Sequence, residues 1–292
     1  RLAMMRPVAV CWILKLSYSN ALQVSERALA ERPKGDTQGE PLNRRMYFLD
    51  YMPAYNFIPC GCAKCGTTAM LNFIYSRTFS HDWPYLTDAD HKDIHNVFAW
   101  WWERKHVPQF ELVWDWNKQQ ELMRTAYSMA IVRDPMSRLI SSWKSKIQCG
   151  SGPGRGDPHR ADFVAQLRAL QGLDTNERCL ELEDFAEALH QIHDNGDAKY
   201  LNDHFLPQHL GCFYTYHPEQ WSKVIEIDHE DTFKLMAGRF NSTNLTLPGK
   251  HSSSTKIQVS QKAYYLLKLV TAKEYEVLGK YLSKPSPVMP GA

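Results

Sequence analysis

Lys64, Thr67 and Thr68 sit on a turn of small residues and form the group in this sequence best suited to holding an oxyanion. The stretch Tyr55-Asn56-Phe57-Ile58-Pro59-Cys60-Gly61-Cys62-Ala63-Lys64-Cys65-Gly66-Thr67-Thr68-Ala69-Met70-Leu71 reads as a short apolar strand, a tight loop and the first turn of an amphipathic helix. Backbone N–H groups at a helix N-terminus have no intrahelical acceptor, and the aligned peptide dipoles favour negative charge there. Gly61 and Gly66 let the backbone approach a phosphate closely, Lys64 adds a mobile cation, and the two threonines add hydroxyl donors. The nucleotide loop G-x-x-x-x-G-K-[ST] differs at one decisive place. Gly61 and Gly66 have its separation, but Thr67 stands where its lysine belongs, and Lys64 lies inside the loop instead. The stretch is therefore not read as a Mg-nucleotide loop. Its candidate binding residues are Lys64, Cys65, Gly66, Thr67 and Thr68.

A second group with suitable chemistry follows about 70 residues on. The apolar run Tyr127-Ser128-Met129-Ala130-Ile131-Val132 leads straight into Arg133-Asp134-Pro135. Pro135 cannot continue a ladder and suits the first turn of a helix, predicted over 136–146 with Leu139, Ile140 and Trp143 on one side. Arg133 at the strand end and Ser141 on the helix both reach toward the crevice where open α/β sheets bind ligands.

Together these stretches resemble the two donor motifs of sulfotransferases that use 3′-phosphoadenosine 5′-phosphosulfate (PAPS). Lys64-Cys65-Gly66-Thr67-Thr68 is similar to their 5′-phosphosulfate loop, P-K-x-G-T-T, with Ala63 in place of the proline. Val132-Arg133-Asp134-Pro135-Met136-Ser137-Arg138-Leu139-Ile140-Ser141 is similar to their 3′-phosphate motif, R-[DN]-P-x-x-R-x-x-S. Asn202-Asp203-His204-Phe205-Leu206-Pro207-Gln208, then Cys212, then Trp221 to Ile227 with Glu226 and Asp231, resembles the Golgi carbohydrate sulfotransferases of the chondroitin 4-sulfotransferase and HNK-1 sulfotransferase group. The resemblance spans residues 55–281 and implies an α/β, P-loop-like three-layer fold, a central mainly parallel sheet flanked by helices. It implies PAPS as co-substrate, a glycan hydroxyl as acceptor, Lys64 on the leaving phosphate, and Arg133 and Ser141 on the 3′-phosphate. It also implies a His or Glu base between the motifs, for which His81, His91, His95, Glu103 and His106 are present. His95 is the preferred candidate because it enters an aromatic segment at a suitable distance before Arg133; Glu103 and His106 stay open. His204 is expected to fix a loop beside the acceptor groove.

The elements that must position these groups read as follows. Residues 68–79 have the apolar spacing of a helix with one buried face, residues 118–124 form a short helix before the second strand, and helices are expected over 180–193 and 260–282. At 292 residues the chain can bury a large core, and its 23% charged and 43% hydrophobic residues are ordinary for a globular protein. The formal charge of +2 argues for no nucleic-acid partner, so any anion site is local. Residues 1–53 read as a stem or N-terminal segment, 54–284 as the catalytic domain, and the proline-rich 285–292 as a disordered tail. Pro7 to Leu16 is short enough for a signal-peptide core or a degraded anchor, and a chain beginning at Arg1 leaves room for an anchor upstream.

Cys60-x-Cys62-x-x-Cys65 lacks the separated second pair of a zinc site, so no metal is expected. Cys149, Cys179 and Cys212 lie in loop-like surroundings and could include a disulfide in an oxidising compartment. The sequons at Asn241 and Asn244 fit the same setting, the Golgi lumen, with membrane attachment only through an upstream anchor. Two other functions share parts of this pattern: transfer to a small alcohol or phenol, and an inactive nucleotide- or glycan-binding relative. The segment 200–231, the sequons and the missing C-terminal R-K-G signature argue against the first; Lys64, Arg133 and Ser141, all present, argue against the second.

Overall fold

Along the strand Tyr127–Val132 successive side chains enter two different cores, the arrangement that gives the chain its layers. The computed structural model describes residues 49–67, 69–71, 73–74, 111–150, 159–174, 176–227, 232–240 and 257–283. The strands are β1 (Leu49–Tyr51), β2 (Phe57–Gly61), β3 (Glu111–Val113), β4 (Tyr127–Val132) and β5 (Lys223–Glu226). The helices with complete bounds are α1 (Trp116–Thr125), α2 (Pro135–Lys146), α3 (Arg160–Leu170), α4 (Leu182–Asp194), α5 (Thr232–Arg239) and α6 (Gln261–Leu278). A further helix is entered at Thr67.

β2, β4 and β5 form a parallel sheet with β4 in the middle. Both of its faces are covered, and its strands are accordingly apolar nearly throughout. Met129 and Ile131 of β4 join Phe57 and Ile225 under Met70, Phe73, Met236 and Phe240, from the helix entered at Thr67 and from α5 with its exit. Ala130 and Val132 join Ile58 and Val224 on the opposite face, against Leu122 and Met123 of α1, Trp221, and Leu278 of α6. A third core gathers α2, α3, α4 and α6 around Leu139, Trp143, Leu167, Phe185, Leu189 and Leu267. The expected three-layer α/β architecture is thus observed, with a mainly parallel sheet between helices.

β1 and β3 pair antiparallel beside this sheet. Neither strand is predicted from the sequence, because three residues are too few to display a period-two alternation. α3 is also not predicted, although Val164, Leu167 and Leu170 are buried along it. The last helix ends earlier than expected: regular α geometry stops at Leu278, and a 3-10 turn, Gly279–Tyr281, completes the segment. Among the described residues no helix is long and apolar enough to cross a membrane.

Packing also buries a histidine, with a consequence for stability. His193 near the end of α4 has its Nε2 buried without a hydrogen-bond partner among the described residues. Burial pulls its pKa down to about 4, partly opposed by the nearby Glu274. The unfolded chain takes up this proton near the ordinary value of about 6.5, the folded chain only near 4. Between those values the unfolded state binds more protons, so stability is complete above about 6.5 and is lost as pH falls toward 4. The urea midpoint is expected to drop across this window, and His193→Leu is expected to flatten the dependence. A variant whose slope matches the parent's would remove His193 as its source.

Candidate active site

Parallel pairing places the two candidate anion motifs side by side before any side chain is considered. β2 and β4 are adjacent and run in register, Gly61 opposite Ile131, so both chains leave the sheet at the same carboxyl edge. The loop after β2 makes a tight turn, with Cys65 N–H donating to Cys62 O at 3.0 Å. A disulfide joins Cys62 and Cys65 across it. Cys65, expected among the binding residues, thus has its N–H turned inward and its side chain fully buried. Its part in the site is to close the turn.

Two positive-φ residues then aim the chain into the helix. Lys64 has φ 67° and Gly66 φ 75°. At Gly66 only glycine fits: a Cβ there would stand 2.5 Å from Ile227 Cδ1 and Cγ1 at the exit of β5. Lys64 holds a left-handed conformation that costs a non-glycine residue on the order of 1 kcal/mol, a kind of strain that clusters at functional turns. Gly66 O accepts the first helical bond, from Met70 N at 2.9 Å. The N–H of Thr67, in the first turn, therefore has no acceptor within the helix. Thr67 itself is largely buried. Thr68 lies outside the described residues.

The second motif is built at the end of β4. Asp134 caps α2, accepting from Ser137 N at 2.8 Å through Oδ1, while Pro135 occupies the first turn. Its other oxygen accepts from Tyr275 OH at 2.6 Å. Burial and that hydrogen bond hold the Tyr275 phenol well above its usual range. Arg133 is half-buried and directs Nη1 to Lys64 O at 3.2 Å, a direct bond between the two motifs. Its Nε is buried with no hydrogen-bond partner among the described residues. Ser141 is half-buried two turns along α2, on the strip it shares with Ser137 and Ser145, whereas Met136, Leu139, Ile140 and Trp143 are buried.

Under this edge lies a buried polar network from segments remote in sequence. Arg138 of α2 is fully buried and pairs with Glu274 of α6 at 3.5 Å. Burial lowers the Arg138 pKa, and Glu274 opposes that. Removing one partner of such a pair leaves a buried charge, at a cost of roughly 3–5 kcal/mol. Arg138 Nη1 also donates to His204 O at 3.1 Å, and Ser142 Oγ donates to the same carbonyl at 2.6 Å. Asn202 Oδ1 meets the His204 ring nitrogen Nδ1 at 2.7 Å and accepts from its N–H at 3.0 Å. The turn that carries His204 is therefore closed by Asn202 and docked through the His204 carbonyl onto α2, the helix of the second motif. Gln208, in the same segment, reaches the peptide of Arg133. Sequence reading assigns Gln208 no role, and the signal was present only as part of the Asn202-to-Gln208 motif.

Other expected residues divide as follows. Glu226 ends β5 and is buried, accepting from Ser283 N at 2.7 Å, and its backbone O accepts from Thr232 Oγ1 at 2.8 Å, so it ties the chain after α6 to the sheet. His95, Glu103 and His106, the candidate bases, lie outside the described residues, as do His81, His91, Asp231 and both sequons. The remaining described cysteines form disulfides, Cys60 with Cys212 and Cys149 with Cys179. Among the described residues no cluster of three or more His, Cys, Asp or Glu side chains could hold a metal ion.

The edge therefore carries two cationic residues, Lys64 and Arg133, on the segments that leave adjacent strands of a parallel sheet, joined by the bond from Arg133 to Lys64 O. No curated protein and no solved structure is significantly similar to the chain. The sequence model of the sulfotransferase family matches residues 49–278, from β1 to the end of α6. That match covers most of the chain and both motifs, and the protein belongs to the sulfotransferase family.

Proposed function

We propose that the protein transfers the sulfuryl group of PAPS to a hydroxyl of a glycan in the lumen of the Golgi. The observation that carries this reading is the bond from Arg133 Nη1 to Lys64 O. It links the two motifs that pairing of β2 with β4 already brings to one sheet edge, as a donor with phosphates at both ends of its nucleoside requires. The unpartnered Arg133 Nε fits the same donor, since a phosphate oxygen would satisfy a buried N–H that the described residues leave unmet.

PAPS supplies an activated sulfuryl group, with 3′,5′-ADP as the leaving group. Lys64 sets a point cation beside the bridging oxygen, where charge grows as the sulfur–oxygen bond to phosphate breaks. Gly66, Thr67 and Thr68, on the turn closed by Cys65, hold the 5′-phosphate. Arg133 and Ser141 hold the 3′-phosphate. The acceptor hydroxyl loses its proton to a base, for which His95 is preferred over Glu103 and His106. The acceptor class rests on the 202–208 segment and Cys212. Three disulfides support an oxidising compartment, and a membrane anchor upstream of the domain at 54–284 fits that location.

Incubation with radiolabelled PAPS, a glycan panel and a set of phenols and small alcohols tests the reading. Label is expected on a glycan. Label on phenols alone would overturn the acceptor class, and 3′,5′-ADP binding with no transfer to any acceptor would favour an inactive relative. The same assay separates the bases. His95→Ala is expected to lose turnover and keep its affinity for 3′,5′-ADP, because the base touches acceptor rather than donor. In the unmodified protein the rate should fall as pH drops through about 6.5, where a histidine base becomes charged. Glu103→Ala or His106→Ala showing that separation while His95→Ala stays active would move the role.

A further inference from the structure

We infer that Gln208 is a positioning residue for the donor site, fixing Arg133 and the Lys64 loop relative to one another; the inference rests on the donor reading above. Gln208 lies 75 residues beyond Arg133 yet is buried to 1% exposure against it. Its Oε1 accepts from Arg133 N at 2.9 Å, and its Nε2 donates to Arg133 O at 2.8 Å. A single amide thus closes on both sides of one residue's backbone, as a neighbouring strand would. The remaining Nε2 proton goes to Glu274 Oε2 at 3.0 Å, and Glu274 Oε1 faces Arg138. The amide orientation follows from these partners: reversed, it would set two N–H groups against the Arg133 N–H and an oxygen against both a carbonyl and a carboxylate.

The same Oε1 stands 3.3 Å from Cys62 Sγ and 3.1 Å from Cys65 Sγ. Gln208 is therefore in contact with both motifs: with the peptide of the residue proposed to hold the 3′-phosphate and with the disulfide that closes the loop proposed to hold the 5′-phosphate. Its own segment is fastened on either side. Before it, His204 O is held by Arg138 and Ser142 of α2. After it, Cys212 is bonded to Cys60 at the end of β2. The segment from Asn202 to Cys212 is a strap across the carboxyl ends of β2 and β4, and Gln208 is its polar contact with both motifs. A donor carrying phosphates at two fixed points is recognised only if the two loops keep their separation, and the strap sets it.

Gln208→Glu preserves shape, removes both Nε2 protons, and brings a carboxylate against Arg133 O and Glu274. The measurement is the ratio of affinities for 3′,5′-ADP and 5′-AMP by titration calorimetry, with melting temperature recorded alongside. The unmodified protein is expected to prefer 3′,5′-ADP, and Gln208→Glu to lose at least ~tenfold of that preference, the scale of one misplaced charge-assisted contact. In an Arg133→Ala background the same change should have no further effect on the ratio, because Gln208 acts through Arg133. A variant that melts earlier but keeps the preference overturns the inference and leaves the donor reading standing. Additive losses in the double variant also overturn it. An unmodified protein with no preference overturns both. Should Gln208→Glu fail to fold, Gln208→Asn is read in its place: it keeps a neutral amide but is one methylene too short to span both Arg133 groups.

Discussion

Lys64→Ala is expected to abolish sulfuryl transfer while the protein stays folded. Sulfuryl transfer leaves a phosphate whose charge grows as the bond breaks, and Lys64 is the cation carried on the loop proposed to face it. Loss of one such stabiliser costs ~10²–10³ in kcat. The fold should survive for reasons visible in the turn. The contact to Arg133 uses Lys64 O, which alanine retains. The turn is closed by Cys62 and Cys65. Lysine and alanine also bear the left-handed φ of 67° at similar cost, since both carry a Cβ. Single-turnover rates with labelled PAPS, beside a melting curve, check this. A variant that is folded and turns over near the parent's rate removes Lys64 from the chemistry.

Arg133→Ala is expected to weaken 3′,5′-ADP binding by roughly 10- to 150-fold, the equivalent of the 1.5–3 kcal/mol of a charge-assisted contact. Binding of 5′-AMP, which lacks the 3′-phosphate, should change much less. The backbone of Arg133 stays clamped by Gln208 in the variant, through bonds of 2.9 and 2.8 Å that do not involve the arginine side chain. The loss is therefore expected in affinity rather than in folding. Ser141→Ala should show the same selectivity with a smaller effect, because a hydroxyl carries no charge. Calorimetry with both nucleotides decides the matter. Equal affinity for the two in the unmodified protein would abolish the 3′-phosphate assignment.

Both candidate anion motifs could be picked out in the sequence because each is written within about a dozen consecutive residues. A glycine at a left-handed turn, a proline at a helix start and an aspartate cap act through neighbours a few positions away. Pro135 accordingly opens α2 as expected, and the structure adds the left-handed Gly66 and the Asp134 cap as local interactions of the same kind. The apolar runs of β2 and β4 were legible for a similar reason, since a strand buried on both faces is nearly continuous in hydrophobic residues. β1 and β3 were not, being too short for any period to show.

The sequence by itself determined the residue types at the two loops proposed to hold the donor, the order of their strand–helix junctions and the class of fold. Tertiary structure decided what lies between and beneath them. Cys60 could have met several partners, and its bond to Cys212, 152 positions away, follows only from the path of the chain. The inward turn of Cys65 depends on Cys62 closing onto it. His204 is read from the sequence as fixing its loop, but only the fold shows that its carbonyl is held by Arg138 and Ser142 of α2. Gln208 is visible in the sequence only as the last letter of a motif, and its role emerges when the fold buries it against Arg133 and Glu274. A capping or turn interaction is fixed by bond geometry over a few residues. A hydrogen bond between residues 75 positions apart exists only because burial of three separate cores brings those segments together.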